Sequence, residues 1–194
     1  MAIFLLPGNV GAPAHAQVTS APEAAAEDSE PSYTKVATIS EATQSYTVSM
    51  TAYNAVPAQT DGDPFTTASG AYSNPEVVAA RSQDLGSELP FGTVVKIERT
   101  VADTPRCQFS KVEHLIGYRV IADTMHSRWT KKIDVLFDHT DTVPVGARQV
   151  NPSLVLGVCD QVTVTVVGKI DISAIPDTQA ELALMFEEPS LALR

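Results

Sequence analysis

The chain has 194 residues, of which 44% are hydrophobic and 19% are charged, and its net charge is -10. This length suits one domain with appendages, and the composition is rich enough in apolar residues to bury a core, which excludes disorder throughout. The sequence contains neither an apolar run of membrane length nor a basic cluster. We therefore expect no transmembrane span and no nucleic-acid partner.

The first 45 residues predict an export signal followed by a linker. A short apolar stretch precedes residues 14–16, which have the A-x-A pattern that signal peptidase recognises. Positive charges before this stretch are missing, so the alternative is an upstream start or an apolar tail. We interpret residues 1–16 as a signal peptide, which predicts a periplasmic, cell-wall or extracellular protein. Residues 17–45 have too few large apolar side chains to offset the entropy of ordering, which predicts a flexible linker.

Residues 46–170 predict an all-β domain. Runs of alternating or apolar residues, separated by turn residues, indicate six strands. They lie at residues 46–53, 77–80, 93–99, 118–123, 132–137 and 161–167. Six strands in one small domain favour a closed barrel, because closure leaves no exposed sheet edge.

Two segments predict short helices, one at residues 152–156 and one at residues 178–188 in the acidic tail, residues 171–194. In the tail, Thr178 and Glu181 have the spacing of a capping box. The next apolar residues, Leu182, Met185 and Phe186, follow a helical period. Such a stripe is typical of packing against a domain, and the alternative is a partner-binding helix.

The two cysteines, Cys107 and Cys159, predict one disulfide in an exported chain. It would close a loop of about 50 residues and stabilise the fold by nominally about 4 kcal/mol. The alternative, in a cytosolic chain, is two buried thiols. The four histidines show no metal-ligand spacing, so we expect no metal and no cofactor.

Four sequence islands follow one another along the predicted strands. They are TAY at 51–53, TASG at 67–70, LPFGTV at 89–94, and YRVIADT at 118–124 followed by KIDVLF at 132–137. Together they resemble the three-aspartate (3D) domain, which is shared by membrane-bound lytic transglycosylase A and small muralytic stationary-phase proteins. The match covers roughly residues 47–168.

The resemblance implies a double-psi β-barrel that acts, as a monomer, on peptidoglycan or a related cell-wall glycan. By this resemblance Asp134 is the catalytic acid and base, and Asp123 supports it. Glycosidic cleavage needs such a carboxyl in its protonated form, which requires an apolar setting or a neighbouring carboxylate. Asp134 lies between apolar strand residues, which suits that requirement. The alternative for Asp134 is a strand carboxylate paired with a nearby Lys or Arg, and for Asp123 a turn cap.

Further site residues come from the same resemblance. Thr67 and Ser69 match hydroxyls that line the sugar groove, and Gly70 matches a glycine that permits a tight turn. An ordinary turn is the alternative.

The chain departs from the family pattern between its two aspartates, where a glycine-rich segment is replaced by bulky residues. Within it, Trp129 is a candidate for stacking on a sugar or for anchoring the loop. Arg128 is a candidate for binding a muramic lactyl or stem-peptide carboxylate, and His126 for carrying a proton.

A second departure concerns the first family aspartate, because Arg81 stands at that position and Asp84 follows three residues later. We predict that Asp84 reaches the site as a third catalytic carboxyl. The resulting hypothesis is cleavage of peptidoglycan strands by a lytic transglycosylase. A non-catalytic, expansin-like polysaccharide-binding module is the alternative. An aspartic protease is disfavoured, because Met125 follows the Asp-Thr pair where a small residue is needed.

Overall fold

A computed structural model describes residues 38–39, 44–60 and 62–186. The signal peptide predicted at residues 1–16 and nearly all of the predicted linker lie outside the described residues, as do residues 187–194.

The described chain is mostly β-structure with a few short helices. The strands are β1 (Thr38–Ile39), β2 (Ser45–Asn54), β3 (Val78–Arg81), β4 (Thr93–Glu98), β5 (Tyr118–Thr124), β6 (Lys132–Phe137), β7 (Val143–Val145), β8 (Arg148–Val150) and β9 (Cys159–Lys169). The helices are α1 (Phe109–Ile116), α2 (Pro152–Leu156) and α3 (Gln179–Phe186), with 3-10 turns at Gln83–Leu85 and Ile172–Ala174. None of the described helices combines the length and the apolar character needed to cross a membrane.

Six of these strands close into a mixed barrel in the order β9-β2-β6-β3-β5-β4, and β4 pairs with β9 to complete it. The pairs β2–β6 and β3–β5 are parallel and the others are antiparallel. Strand β6 lies between the consecutive strands β2 and β3, and β3 lies between the consecutive strands β5 and β6. These two interlocked crossings are the connectivity of a double-psi β-barrel. The predicted closed six-stranded barrel is therefore confirmed.

The barrel interior is filled by alternate residues from all six strands, among them Met50, Ala79, Val95, Ile121, Ile133, Val135 and Val164. Helices α1 and α2 pack their apolar residues against this core. Helix α1 lies in a segment that the sequence analysis left without an element, although Phe109, Val112 and Ile116 are buried at helical spacing.

The predicted disulfide between Cys107 and Cys159 is confirmed, and it joins the segment before α1 to the start of β9. Both cysteines belong to the interior core. The chain approaches this link closely at Gly157, which has φ of 70°, and a Cβ there would overlap the carbonyl oxygen of Arg106. The disulfide thus links the segment before α1 to a barrel strand. Beside this link, the position of Gly157 accepts only glycine.

A second apolar cluster covers part of the outer barrel face. Val78, Val94, Val120 and Leu136 point outward and pack beneath the buried Leu182 of α3, with Met185 and Phe186 beside it. The helix starts with the capping-box bonds: the Glu181 amide donates to the Thr178 hydroxyl, and the Thr178 amide donates to the Glu181 carboxylate. The apolar stripe of α3 therefore packs against its own barrel. Near the end of β5 and the start of β6 the outer strand faces carry polar side chains, among them Asp123 and Asp134.

Candidate functional site

A cavity of about 740 Å³ opens on the outer barrel face where β5 ends and β6 begins. Its volume falls in the range of small-ligand sites, roughly 300–1,000 Å³. Strand residues that line it are Tyr53, Ala80, Asp123 and Asp134, and its walls come from loop residues within 58–60, 63–68 and 124–129. The cavity therefore brings two of the three predicted catalytic aspartates together.

A β-bulge is what places both aspartates on the same face. The pairing of β3 with β5 shifts after Ala79, so that Ala79 lies opposite Ile121 and Ala80 opposite Asp123. On the other side of β3, Ala80 lies opposite Asp134. Without the extra residue, alternation from Ile121 would turn Asp123 into the barrel interior. Two strand spacings separate the α-carbons of the aspartates, about 9.6 Å.

Asp134 is partly buried and is held by its neighbour on β2. The Thr51 hydroxyl donates to Asp134 Oδ1 at 2.8 Å, directly across the β2–β6 pairing. Burial raises the pKa of Asp134 to about 6, against the opposing effects of the Thr51 hydrogen bond and the Lys132 charge, and the Asp123 charge raises it further. Among the described residues Asp134 makes no close ion pair. A carboxyl in this setting keeps its proton in mildly acidic solution.

Asp123 is held as a hydrogen-bond acceptor by three donors. The Tyr53 hydroxyl donates to Oδ2 at 2.9 Å, and the amides of Ala68 and Thr124 donate to Oδ1 at 2.9 and 2.8 Å. Burial, with Asp123 as the next cause, raises the pKa of Tyr53 far above its usual value of 10. Tyr53 therefore remains a donor at every physiological pH.

Thr51 and Tyr53 are site residues to which the sequence analysis gave no role. Both belong to the TAY island, and their alternate positions on a predicted strand put both hydroxyls on one sheet face. That alternation was the sequence signal by which the two hydroxyls could have been recognised as site residues. Its meaning depends on the pairing of β2 with β6, which brings Thr51 opposite Asp134.

The TASG loop contributes mainly through its backbone. The hydroxyls of Thr67 and Ser69 share a hydrogen bond of 3.0 Å, and the Thr67 hydroxyl donates to the Ala71 carbonyl. Gly70 has φ of 86° and its amide closes the turn onto the Thr67 carbonyl. Thr67 lines the cavity, whereas Ser69 and Gly70 do not appear among the lining residues. The turn directs the Ala68 amide at Asp123.

The segment between β5 and β6 forms one cavity wall, and His126, Arg128 and Trp129 all line it. The Trp129 amide donates to the His126 carbonyl, and the Arg128 amide donates to His126 Nδ1. The Trp129 ring has two cationic neighbours: Arg128 Cζ at 5.0 Å and Lys132 Nζ at 4.0 Å from its centroid. Contacts with two cations leave less of the ring for stacking on a sugar.

Asp84 does not line the cavity. Its exposed carboxylate accepts a hydrogen bond from the Lys131 amide at 2.9 Å, and a hydrogen bond from the Ser82 side chain holds its pKa below the usual value. Arg81, at the first family aspartate position, donates to the Leu89 carbonyl and lies over the Phe91 ring. The structure thus brings Asp123 and Asp134 into one cavity and leaves Asp84 outside it.

Within the described part of the chain, no group of three or more His, Cys, Asp or Glu side chains is placed to hold a metal ion. Comparison with models of protein families finds none that matches the chain, and a search of curated proteins finds no match. The resemblance to the three-aspartate domain therefore remains an expectation drawn from the four sequence islands.

Replacing Lys132 with Met should raise the pKa of Asp134 above about 6, because the variant removes a positive charge that favours the carboxylate. Strand β6 should persist, because the backbone amide of residue 132 can still donate its hydrogen bond to Ser82 Oγ in the variant. Carbon NMR titration of the aspartate carboxyls measures the shift. Lys111→Met, on the exposed side of α1, is the matched control. A fall in the pKa, or an equal change in the control, would contradict this reading.

Proposed function

We propose that the protein cleaves the glycan strands of peptidoglycan by the lytic transglycosylase reaction, with Asp134 as both acid and base. The observation that supports this proposal is a carboxyl with a pKa of about 6 in a cavity that also contains a second, firmly held carboxylate. A perturbed carboxyl in a cavity is a common feature of catalytic sites.

The first half of the reaction uses the proton that Asp134 holds. Asp134 donates this proton to the glycosidic oxygen as the bond from that oxygen to the muramic C1 breaks, and the bonding electrons leave with the oxygen. Positive charge develops on the sugar ring. The newly formed Asp134 carboxylate and the nearby Asp123 carboxylate are placed to stabilise that charge.

In the second half Asp134 acts as a base. It accepts the proton of the C6 hydroxyl of the same muramic acid, while that oxygen forms a bond to C1. The products are a new sugar hydroxyl end and a 1,6-anhydro end, and Asp134 is protonated again. One carboxyl therefore suffices and no water is consumed, which fits a site in which Asp123 is already committed to three hydrogen bonds.

A polysaccharide-binding module without catalysis is the second candidate. The observation that favours it is the bulky wall at residues 124–129, where the family pattern has glycines that let the backbone approach the glycan. Binding in the cavity would then hold a wall polysaccharide without cutting it.

Digestion of purified peptidoglycan, followed by mass spectrometry of the released fragments, separates the two candidates. We expect 1,6-anhydro muropeptides from the wild type and at least about 100-fold less of them from Asp134→Asn. The matched control is Asp160→Asn on β9, whose exposed carboxylate accepts from Ser49 and lies outside the cavity. Co-sedimentation of the wild type with peptidoglycan, without any released fragment, would favour the binding module. Reducing ends without anhydro groups would indicate hydrolysis instead.

A further inference from the structure

The cavity wall contains a guanidinium group that has no acceptor among the residues that the structure describes. Arg128 lines the cavity and is exposed. Among the described residues its side chain has no hydrogen bond and no ion pair, and its contact is the face of Trp129. By contrast, the guanidinium groups of Arg81 and Arg119 donate to backbone carbonyls. Arg128 thus offers its five N–H donors to the cavity.

A second cation lies against the same ring. Lys132 is buried, yet its ammonium nitrogen lies 4.0 Å from the Trp129 centroid. Asp134, two residues further along the same strand face, accepts from Thr51 and forms no close ion pair with Lys132. Lys132 does not line the cavity, so its charge adds to the positive potential beside Arg128 without contacting a bound anion.

We propose that Arg128, stacked on Trp129, forms an anion subsite that binds a carboxylate of the glycan, so that the cavity selects acidic muramic strands over neutral amino-sugar polymers. This inference rests on the proposed function for its substrate class. A guanidinium group matches a carboxylate with two parallel hydrogen bonds, and stacking on an aromatic ring fixes its plane.

The carboxylate has two possible sources on one polymer. Muramic acid carries a lactyl ether whose carboxyl is free in strands without peptides, and stem peptides carry carboxyl groups of their own. Neutral N-acetylglucosamine oligomers have the same sugar backbone and neither group. The three ligands therefore form a matched series for the subsite.

Calorimetric titration of the Asp134→Asn variant avoids turnover and tests the subsite directly. We expect peptide-free muramic tetrasaccharide to bind at least about tenfold more tightly than chitotetraose, since one charge-assisted hydrogen bond can supply about 1.4 kcal/mol, to which a tenfold difference corresponds. Added Arg128→Met should abolish the preference, and Arg128→Lys should retain part of it. Arg148→Met, on β8 outside the cavity, is the control and should leave the preference unchanged.

The peptide-bearing tetrasaccharide distinguishes the two carboxylate sources, because a preference restricted to it assigns the subsite to the stem peptide. Equal affinity for the acidic and neutral sugars, binding of none of the three, or an unchanged preference in Arg128→Met would each overturn the inference. Selective binding by a wild-type protein that releases no fragments would refute the proposed cleavage and leave the anion subsite standing.

Discussion

Asp134→Asn should reduce the release of anhydro-muropeptides by about 10²- to 10⁴-fold, the usual contribution of a general acid and base. Asparagine has nearly the same shape and keeps the oxygen that accepts from Thr51, but it has no proton to donate. The binding of glycan should persist, because the rest of the cavity is unchanged. Rates of fragment release by the variant, the wild type and Asp160→Asn measure the effect. A decrease smaller than tenfold would remove Asp134 from the reaction.

The same substitution should stabilise the folded protein at neutral pH. The pKa of Asp134 is about 6 in the folded chain against 3.8 as its ordinary value. The stabilisation from this raised pKa is fully present below pH 3.8 and is lost as the pH rises through about 6. Asparagine resembles the protonated acid and loses nothing over that range. We expect the variant to exceed the wild type by about 3 kcal/mol in free energy of unfolding at neutral pH.

Urea unfolding in an acidic and a neutral buffer checks the sign of this effect. The two proteins should be nearly equal in the acidic buffer and diverge in the neutral one, whereas Asp160→Asn should follow the wild type in both. A variant less stable than the wild type at neutral pH would mean that the ionised Asp134 carboxylate is favourably bound. A large rate loss together with a stability gain is the pattern expected of a residue retained for function.

Arg119→Met should lower the free energy of unfolding by about 4 kcal/mol, the largest effect on stability that we expect. Arg119 is buried, and its guanidinium donates to four carbonyl oxygens within 3.1 Å: those of Pro75, Leu115, Ile116 and Leu136. Burial lowers the pKa of Arg119 to about 9, which still leaves it charged at neutral pH. Methionine fills similar space but donates no hydrogen bond. Gln179 Nε2 still donates to the Leu115 and Ile116 carbonyls, whereas the Pro75 and Leu136 carbonyls lose the guanidinium donor.

Chemical denaturation of Arg119→Met beside Lys111→Met measures the effect. Lys111 lies on the exposed side of α1, so its loss should change stability by no more than about 0.5 kcal/mol. Equal stability of the two variants would show that water replaces the guanidinium at the end of α1 without cost.

The six barrel strands were predictable because each follows an alternating or apolar pattern that a barrel wall requires. The run at residues 132–137 matches β6 (Lys132–Phe137) at both ends. Helix α1 has only eight residues. A segment this short does not show enough periods of apolar residues for a helix to be predicted from sequence alone. The alternating strand pattern predicts a surface position for Arg119, whereas the end of α1 covers it and supplies two of its four acceptors.

The site was predictable only in part. Asp134 follows from strand alternation alone, since its neighbours Ile133 and Val135 face the interior. The same alternation predicts that Asp123 faces the barrel interior. A bulge at Ala122 turns it to the outer face instead, and no local sequence pattern in this strand predicts that bulge. For Asp84 the sequence predicted a catalytic role from its spacing near the first family aspartate. Its position outside the cavity does not support that role.

The most direct test of the account is a carbon NMR titration of the Asp134 carboxyl in the wild-type protein, assigned through its loss in Asp134→Asn. We expect a midpoint near 6, the value to which burial raises the pKa of this carboxyl. A midpoint at or below the ordinary value of 3.8 would mean that the carboxyl is ionised when it meets a glycan. The proposed proton donor would then be missing.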